Sequence, residues 1–168
     1  YKLCRKIIGE NPVVERDTYC LKVEGGKLVG VGPTNAAGER EGPGTMVYAS
    51  GDMYVGQWRA GKREGQGTYY YATGDRYEGG WKAGKREGQG TFYSASGDRY
   101  EGGYKAGKRE GQGTYYYADG ERYEGGWKAD IQEGAGTYYY ADGRAEVSRY
   151  QQGEPVGEAA KWSADRKT

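Results

Sequence analysis

One segment of the chain recurs almost letter for letter at a spacing of 23 residues, and this repeat limits the possible folds more than any other feature. A fixed period of this length indicates an array of small units stacked on one another. Because every unit offers the same side chains, we expect function to lie on an extended surface and not at one catalytic point. The copies open at Tyr54, Tyr77, Tyr100 and Tyr123, and four residues after each of these lie Trp58, Trp81, Tyr104 and Trp127.

The composition lacks the aliphatic residues that a compact two-layer core needs. The chain has 168 residues, of which 33 are Gly, 19 are Tyr and 4 are Trp. We therefore expect a thin structure in which aromatic rings pack against glycine backbone. A disordered Gly/Tyr-rich chain is the alternative. It is disfavoured because low-complexity tracts do not hold glycines in one register across four periods.

Charge and residue types argue against several function classes. The 25 Lys and Arg residues balance 24 Asp and Glu, so the global positive excess that nucleic-acid binding requires is missing. The chain has no histidine, the commonest general base and metal ligand. Its carboxylates repeat identically along the array, whereas paired acid–base catalysis needs two unlike environments. The sequence predicts no enzyme, no catalytic residue, no cofactor, no metal site and no nucleic-acid partner.

The residues before the repeats leave two questions open. Cys4 and Cys20 match no zinc spacing, and they fit either one disulfide or two free thiols in a reducing compartment. The chain begins with Tyr1 and not Met, so an upstream targeting peptide stays an alternative. No apolar run reaches the ~20 residues that a membrane-spanning helix requires.

Each repeat divides into two strands and two links. Thr68–Tyr71 and Arg76–Lys82 are aromatic-rich and typical of strands. The link Ala72–Asp75 predicts a tight turn with Gly74 at positive φ. The link Ala83–Gly88, charged and flanked by glycine, predicts an exposed loop that joins one hairpin to the next.

Side-chain alternation then assigns the residues to two faces. A three-residue turn that ends in glycine would place Tyr69 and Tyr71 beside Tyr77, with the rings covering glycine backbone. The opposite face would bring Tyr70 next to Arg76, in a cation–π contact repeated along the sheet.

The repeat decays at both ends, as terminal units of a stacked array do. We predict an N-terminal arm and capping hairpin over residues 1–37. A repeat array of four clear copies with degenerate ends follows over 38–153, and a C-terminal cap or tail over 154–168. In the last unit Tyr150 takes the Trp position and Gly157 takes the position of the loop glycine.

The pattern Tyr-x-Gly-x-Trp-x-x-Gly-Lys-x-x-Gly-x-Gly-x-Tyr-x-Tyr-x-x-Gly resembles the MORN repeat (membrane occupation and recognition nexus) over roughly residues 38–153. The resemblance implies an all-β fold, an elongated single-layer antiparallel sheet of stacked β-hairpins used as a scaffold or binding module. The sequence departs from the pattern at Asp130-Ile131-Gln132, which replaces Gly-Lys-Arg. We expect that loop not to share a ligand of the Lys-Arg loops.

Two surfaces are candidate binding sites. The first is the aromatic stripe, which is the core of the sheet and also, because a single-layer sheet has no second layer, a face for a protein partner. The second is a line of basic loops for anionic lipid or an acidic partner, although Glu64, Glu87 and Glu110 cancel part of each pair. The stripe comprises Tyr54, Trp58, Tyr77, Trp81, Tyr100, Tyr104, Tyr123 and Trp127, and the loops carry Lys62, Arg63, Lys85, Arg86, Lys108 and Arg109.

The function that these features predict is a non-catalytic scaffold or assembly subunit that binds protein partners through the aromatic face. The resemblance favours a cytoplasmic location in a ciliary, cytoskeletal or other large organellar assembly, and an organellar location stays open because the N-terminus is incomplete. The alternatives are an adaptor on anionic membranes that uses the Lys-Arg loops, and the regulatory array of a larger enzyme.

Overall fold

The computed structural model describes residues 2–4, 19–24 and 27–163, with side chains from residue 30 onward. Every regular element in these ranges is a β-strand, and no helix among them could cross a membrane. The chain forms two compact units, which are described separately: unit 1 comprises Tyr1–Gly74 with Gly80–Lys85, and unit 2 comprises Asp75–Gly79 with Arg86–Thr168.

In unit 1 the strands β1 to β6 pair antiparallel in the order of the chain. The pairing of β2 with β3 confirms the predicted capping hairpin, and β1 places Cys4 opposite Cys20. Most of the predicted N-terminal arm lies outside the described residues. The strands are β1 (Lys2–Cys4), β2 (Tyr19–Glu24), β3 (Lys27–Pro33), β4 (Gly42–Val47), β5 (Met53–Arg59) and β6 (Lys62–Tyr70).

In unit 2 the strands β8 to β14 also pair antiparallel in chain order. Residues 154–162 of the predicted C-terminal cap or tail form β14, and residues 164–168 lie outside the described part. β7 (Arg76–Lys82) has residues in both units. The strands of unit 2 are β8 (Lys85–Tyr93, from Arg86), β9 (Arg99–Lys105), β10 (Lys108–Tyr116), β11 (Arg122–Lys128), β12 (Ile131–Tyr139), β13 (Ala145–Gln151) and β14 (Glu154–Trp162). The prediction of an all-β array of antiparallel hairpins is confirmed.

The first link of each repeat is the predicted three-residue turn. Between β10 and β11 it consists of residues 118–120, and Gly120 has a φ of 93°. The N–H of Gly120 donates to the carbonyl of Tyr117 at 3.1 Å. The turn sets Tyr115 opposite Tyr123 in the sheet, which is the register that the sequence predicted for the equivalent pair of an earlier repeat.

The second link is not the long exposed loop that the sequence predicted. β7 ends at Lys82 and β8 begins at Lys85, so only Ala83 and Gly84 form the turn. Both have positive φ, 49° and 86°, which is the conformation of a tight type I′ hairpin turn. The Lys-Arg pairs therefore lie at the start of strands.

A β-bulge follows the Lys-Arg pairs of β6 and β10. Between β9 and β10, Tyr104 pairs with Arg109 and Gly102 pairs with Gly113, so that Gly103 alone faces residues 110–112. A Cβ atom at Gly103 would come within 2.2 Å of the Glu110 carbonyl oxygen. Only glycine therefore fits opposite this bulge, and the same holds for Gly126 opposite the bulge between β11 and β12. A third bulge lies between β5 and β6, where Gln57 takes the opposite position.

The core of each unit is a row of rings on one side of its sheet, which we call the aromatic face; the other side is the polar face. In unit 2 the rings of Tyr100 and Trp127 meet edge to face with centroids 5.2 Å apart. The glycines beneath them are needed for close approach, since a Cβ atom at Gly113 would lie 2.3 Å from the Tyr100 hydroxyl oxygen. The last repeat keeps this pattern: Tyr150 is buried, and its ring centroid lies 4.9 Å from that of Tyr123.

Candidate protein-binding site

The eight rings of the predicted stripe are core residues. Tyr54, Tyr77 and Tyr123 are 0% exposed, and Trp58, with 7%, is the most accessible ring of the eight. The structural part of the prediction is therefore confirmed. The expectation that these particular rings offer an accessible surface is wrong, because in each unit they are covered by neighbouring rings and by the arginines of the Lys-Arg pairs.

The arginine of each Lys-Arg pair points to the aromatic face and not into a loop. In unit 1 the Arg63 guanidinium carbon lies 4.3 Å from the centroid of Trp81 and 4.9 Å from that of Tyr69. In unit 2 Arg109 lies 4.2 Å from the centroid of Trp127. These distances are those of cation–π contacts, which stabilise a pair by about 0.5–2 kcal/mol.

Hydrogen bonds tie the same arginines to the type I′ turn of the following repeat. The Arg63 carbonyl accepts a bond from the Gly84 N–H at 2.9 Å, and Arg63 Nη2 donates to the Gly84 carbonyl at 2.7 Å. Arg86 and Gly107 form the same pair of bonds at 2.9 and 2.5 Å. The arginines predicted to bind anions are thus structural cations between repeats.

The glutamate that follows each arginine completes this connection. The Glu64 carboxylate accepts a hydrogen bond from the Ala83 N–H at 2.9 Å, and Glu87 accepts one from Ala106 at 2.8 Å. We call the arginine, the glutamate and the turn they hold the Arg-Glu clasp. The glutamates that the sequence analysis considered only as charges beside each Lys-Arg pair therefore also hold the turn of the next repeat. At the other end of the hairpin in unit 1, the Asp52 carboxylate accepts a hydrogen bond from the Ala72 N–H at 2.8 Å. This bond keeps the pKa of Asp52 below its usual value.

The lysines of the Lys-Arg pairs lie on the polar face and are exposed. Lys62 pairs in register with Arg59 in unit 1, and Lys108 pairs with Lys105 in unit 2. Lys62, Lys85 and Lys108 therefore keep the predicted potential to bind anions, which stays a prediction. In the fourth copy Asp130 forms an ion pair with Arg109 at 3.3 Å, and the expectation that this loop does not share a ligand of the Lys-Arg loops stays a prediction.

The polar face repeats a second arginine contact. Arg99 pairs in register with Tyr93 on one side and Tyr116 on the other, and its guanidinium lies 4.1 Å from the Tyr116 ring centroid. The predicted arginine–tyrosine neighbours are therefore present, and the cation–π contact goes to the tyrosine of the following strand. Glu101 forms an ion pair with Arg99 at 3.2 Å. An open groove of about 550 Å³ on this face of unit 2 is lined by such neutralised carboxylates and by glutamine.

Half-buried tyrosines form a second tier on the aromatic face of unit 2. The ring centroids of Tyr115 and Tyr117 are 4.7 Å apart, those of Tyr117 and Tyr138 are 5.7 Å apart, and those of Tyr138 and Tyr140 are 4.9 Å apart. We call these four residues the tyrosine row. The sequence analysis assigned these tyrosines to strands and did not identify them as a site. The signal that could have found them is their spacing of 2 and 23 residues.

Carboxylates accept hydrogen bonds from three of the four hydroxyls of the tyrosine row. The Tyr115 hydroxyl donates to Asp98 at 3.1 Å, Tyr140 donates to Glu146 at 3.1 Å, and Tyr138 donates to Glu121. Burial raises the pKa of Tyr115 to about 12, with its bond to Asp98 adding to the shift. The rings therefore present a neutral, ordered aromatic surface.

Within the described residues, no cluster of three or more His, Cys, Asp and Glu side chains is placed to hold a metal ion.

Comparison with family models decides the family. The model for the MORN repeat matches residues 36–53, 54–76, 77–99, 100–122 and 123–143, which together are more than half of the chain. The chain belongs to the MORN-repeat family. A solved structure titled as the SAS-4 (dCPAP) TCP domain in complex with a proline-rich motif of Ana2 (dSTIL), from Drosophila melanogaster, is similar at 15% identity and a TM-score of 0.48, covering 93% of this chain and 96% of that one. The search of curated proteins found no match.

Proposed function

We propose that this MORN-repeat chain is a non-catalytic scaffold or assembly subunit whose protein partner docks on the tyrosine row. The observation that carries the proposal is the stack of half-buried rings of Tyr115, Tyr117, Tyr138 and Tyr140, in which three of the four hydroxyls donate to carboxylates. Tyrosine is enriched among residues that dominate binding energy. Rings that are already ordered lose little conformational entropy when a partner binds.

The sequence supplies a matched control for this proposal. Tyr117 and Tyr140 stand on the aromatic face, and their neighbours in the chain, Tyr116 and Tyr139, lie beneath Arg99 and Arg122 on the polar face. The double variant Tyr117→Ala with Tyr140→Ala removes two rings from the row. The control, Tyr116→Ala with Tyr139→Ala, removes the same atoms from the other side of the sheet.

The experiment compares the two double variants in affinity capture from the native source, followed by quantitative mass spectrometry. We expect the row variant to lose at least tenfold of a partner that the wild type captures, while the control variant retains it. Circular dichroism melts check that both variants fold. Loss of the partner in the control alone would refute the proposal.

A second candidate function rests on the exposed lysines of the polar face. Lys105 and Lys108 lie in register at one end of their hairpin, and juxtamembrane cations each add about 1 kcal/mol of attraction to an anionic bilayer. The test is co-sedimentation with phosphatidylserine vesicles at low and physiological salt. Salt-sensitive binding that disappears in the Lys105→Glu, Lys108→Glu variant supports a membrane adaptor, and equal pelleting of wild type and variant argues against it.

The cellular setting belongs to the proposal. Membership of the family, with a surface suited to assembly, favours a cytoplasmic scaffold in a ciliary, cytoskeletal or other large organellar complex. The third alternative, a regulatory array within a larger enzyme, is decided by the full-length open reading frame. Fluorescent tagging of the full-length product tests the location.

A further inference from the structure

One repeat of unit 2 differs from the others at the centre of the aromatic face. The position occupied by Trp58, Trp81 and Trp127 carries Tyr104 in this repeat. The indole N–H groups of the three tryptophans donate to glycine carbonyls at 3.1–3.2 Å. Within residues 30–163, the Tyr104 side chain makes no equivalent hydrogen bond.

A cavity of about 270 Å³ lies beside Tyr104. Its aromatic wall includes Tyr100 and Phe92. Drug-sized ligands need sites of roughly 300–1,000 Å³, so this cavity suits a single large side chain. Tyr115 also lines it, which joins the cavity to the tyrosine row.

Two guanidinium groups line the cavity, and only one of them is neutralised. Arg109 forms an ion pair with Asp130 at 3.3 Å. Arg86 donates to the uncharged carbonyl of Gly107, and no carboxylate within the described residues pairs with it. The site therefore combines aromatic walls with an uncompensated positive charge, which is complementary to a planar ring that carries a negative group beside it.

We propose that this cavity receives an aromatic side chain flanked by an acidic residue of the protein partner. The inference rests on the proposed function, since it names the chemistry of the segment that docks along the tyrosine row. The ring would take the space that a tryptophan fills in the other repeats, and the carboxylate would pair with Arg86.

The direct test is titration of the purified chain with 3-indolepropionate, followed by two-dimensional ¹H–¹⁵N NMR. The matched probe is tryptamine, which has the same ring and the opposite charge. We expect saturable shifts of signals around Tyr104 and Gly107 with 3-indolepropionate, and binding at least tenfold weaker with tryptamine.

Two variants keep the test independent of folding defects. Tyr104→Trp installs the residue of the neighbouring repeats, so it should fold and should weaken 3-indolepropionate binding at least tenfold. Arg86→Gln copies Gln132, which stands at the equivalent position of the fourth repeat, and should weaken binding at least fivefold.

Equal affinity for the two probes, unchanged binding by Tyr104→Trp, or no saturable binding would overturn the inference. These outcomes leave the proposed function untouched, because Tyr117 and Tyr140 do not line the cavity. If substitution of those two tyrosines abolished partner capture and the probe did not bind, the tyrosine row would be supported as the docking surface and the cavity would not.

Discussion

Substitution of Gly113 by alanine tests how tightly the ring-on-glycine core is packed. The new Cβ atom would lie 2.3 Å from the Tyr100 hydroxyl oxygen and 2.6 Å from its Cζ, so the ring must retreat by about 1 Å to reach ordinary contact. It cannot do so freely, because its hydroxyl donates to the Gly103 carbonyl and its edge meets Trp127. Overpacking of this kind costs about 1–3 kcal/mol.

Part of that cost is offset, since replacing glycine by alanine restricts the unfolded chain by about 0.4–1 kcal/mol. We therefore expect a net loss of roughly 1–2 kcal/mol, which is a decrease in Tm of about 2–8 °C for a chain of this size. Differential scanning calorimetry measures it. A melt at or above the wild-type temperature would mean that the glycines are not required for ring approach.

A double-mutant cycle with Tyr100→Phe assigns the effect to this contact. The hydroxyl oxygen is the nearest atom to the new methyl group. Removing it should therefore lower the free energy of unfolding less in the Gly113→Ala background than in the wild type. We expect a coupling free energy of at least about 0.5 kcal/mol. Strict additivity of the two substitutions would refute the steric explanation.

Other consequences concern the clasp and the buried tyrosines. Glu87→Gln weakens the charge-assisted bond to a turn N–H and should destabilise the chain by about 1 kcal/mol, whereas the exposed Lys85→Ala should change stability by no more than about 0.5 kcal/mol; urea titration compares the two. Burial raises the pKa of Tyr54, Tyr100 and Tyr123 to about 12, above the unfolded value near 10. Their stabilising contribution is complete below pH 10 and is lost as pH rises through 12, so melts between pH 8 and 12 should show stability falling only above pH 10. A flat profile would contradict this burial.

The repeat period and the alternation of side chains were enough to predict the hairpins. The glycine that ends each first link fixed the turn length and, through it, the register that sets Tyr115 beside Tyr123. These features are local, because turn geometry and strand alternation depend on residues close in the chain.

The Arg-Glu clasp could not be predicted because its bonds join residues about 20 positions apart. A charged run flanked by glycines is typical of a loop, and an alanine such as Ala83 at a φ of 49° is uncommon. The bulge opposite Gly103 also shifts the pairing of β9 with β10 by two residues. Only the stacked repeats show that Glu64 reaches Ala83.

Contacts between distant residues also explain why the candidate site could not be predicted in full. Sequence identified the aromatic residues and could not tell which rings are covered, because burial of Trp81 depends on Arg63 from the preceding repeat. The rings that we propose as the docking surface are those of the tyrosine row, such as Tyr117. The hydroxyl of its neighbour Tyr115 donates to Asp98 of another repeat.

In the function that we propose, the protein partner contacts the tyrosine row on the aromatic face. Site-specific incorporation of a benzophenone amino acid tests it most directly, with Tyr117 replaced in one variant and its chain neighbour Tyr116 in the other. Irradiation in the native source should give a covalent adduct with the partner from position 117 and none from position 116. Adducts from position 116 alone would place the partner on the polar face and contradict docking on the tyrosine row.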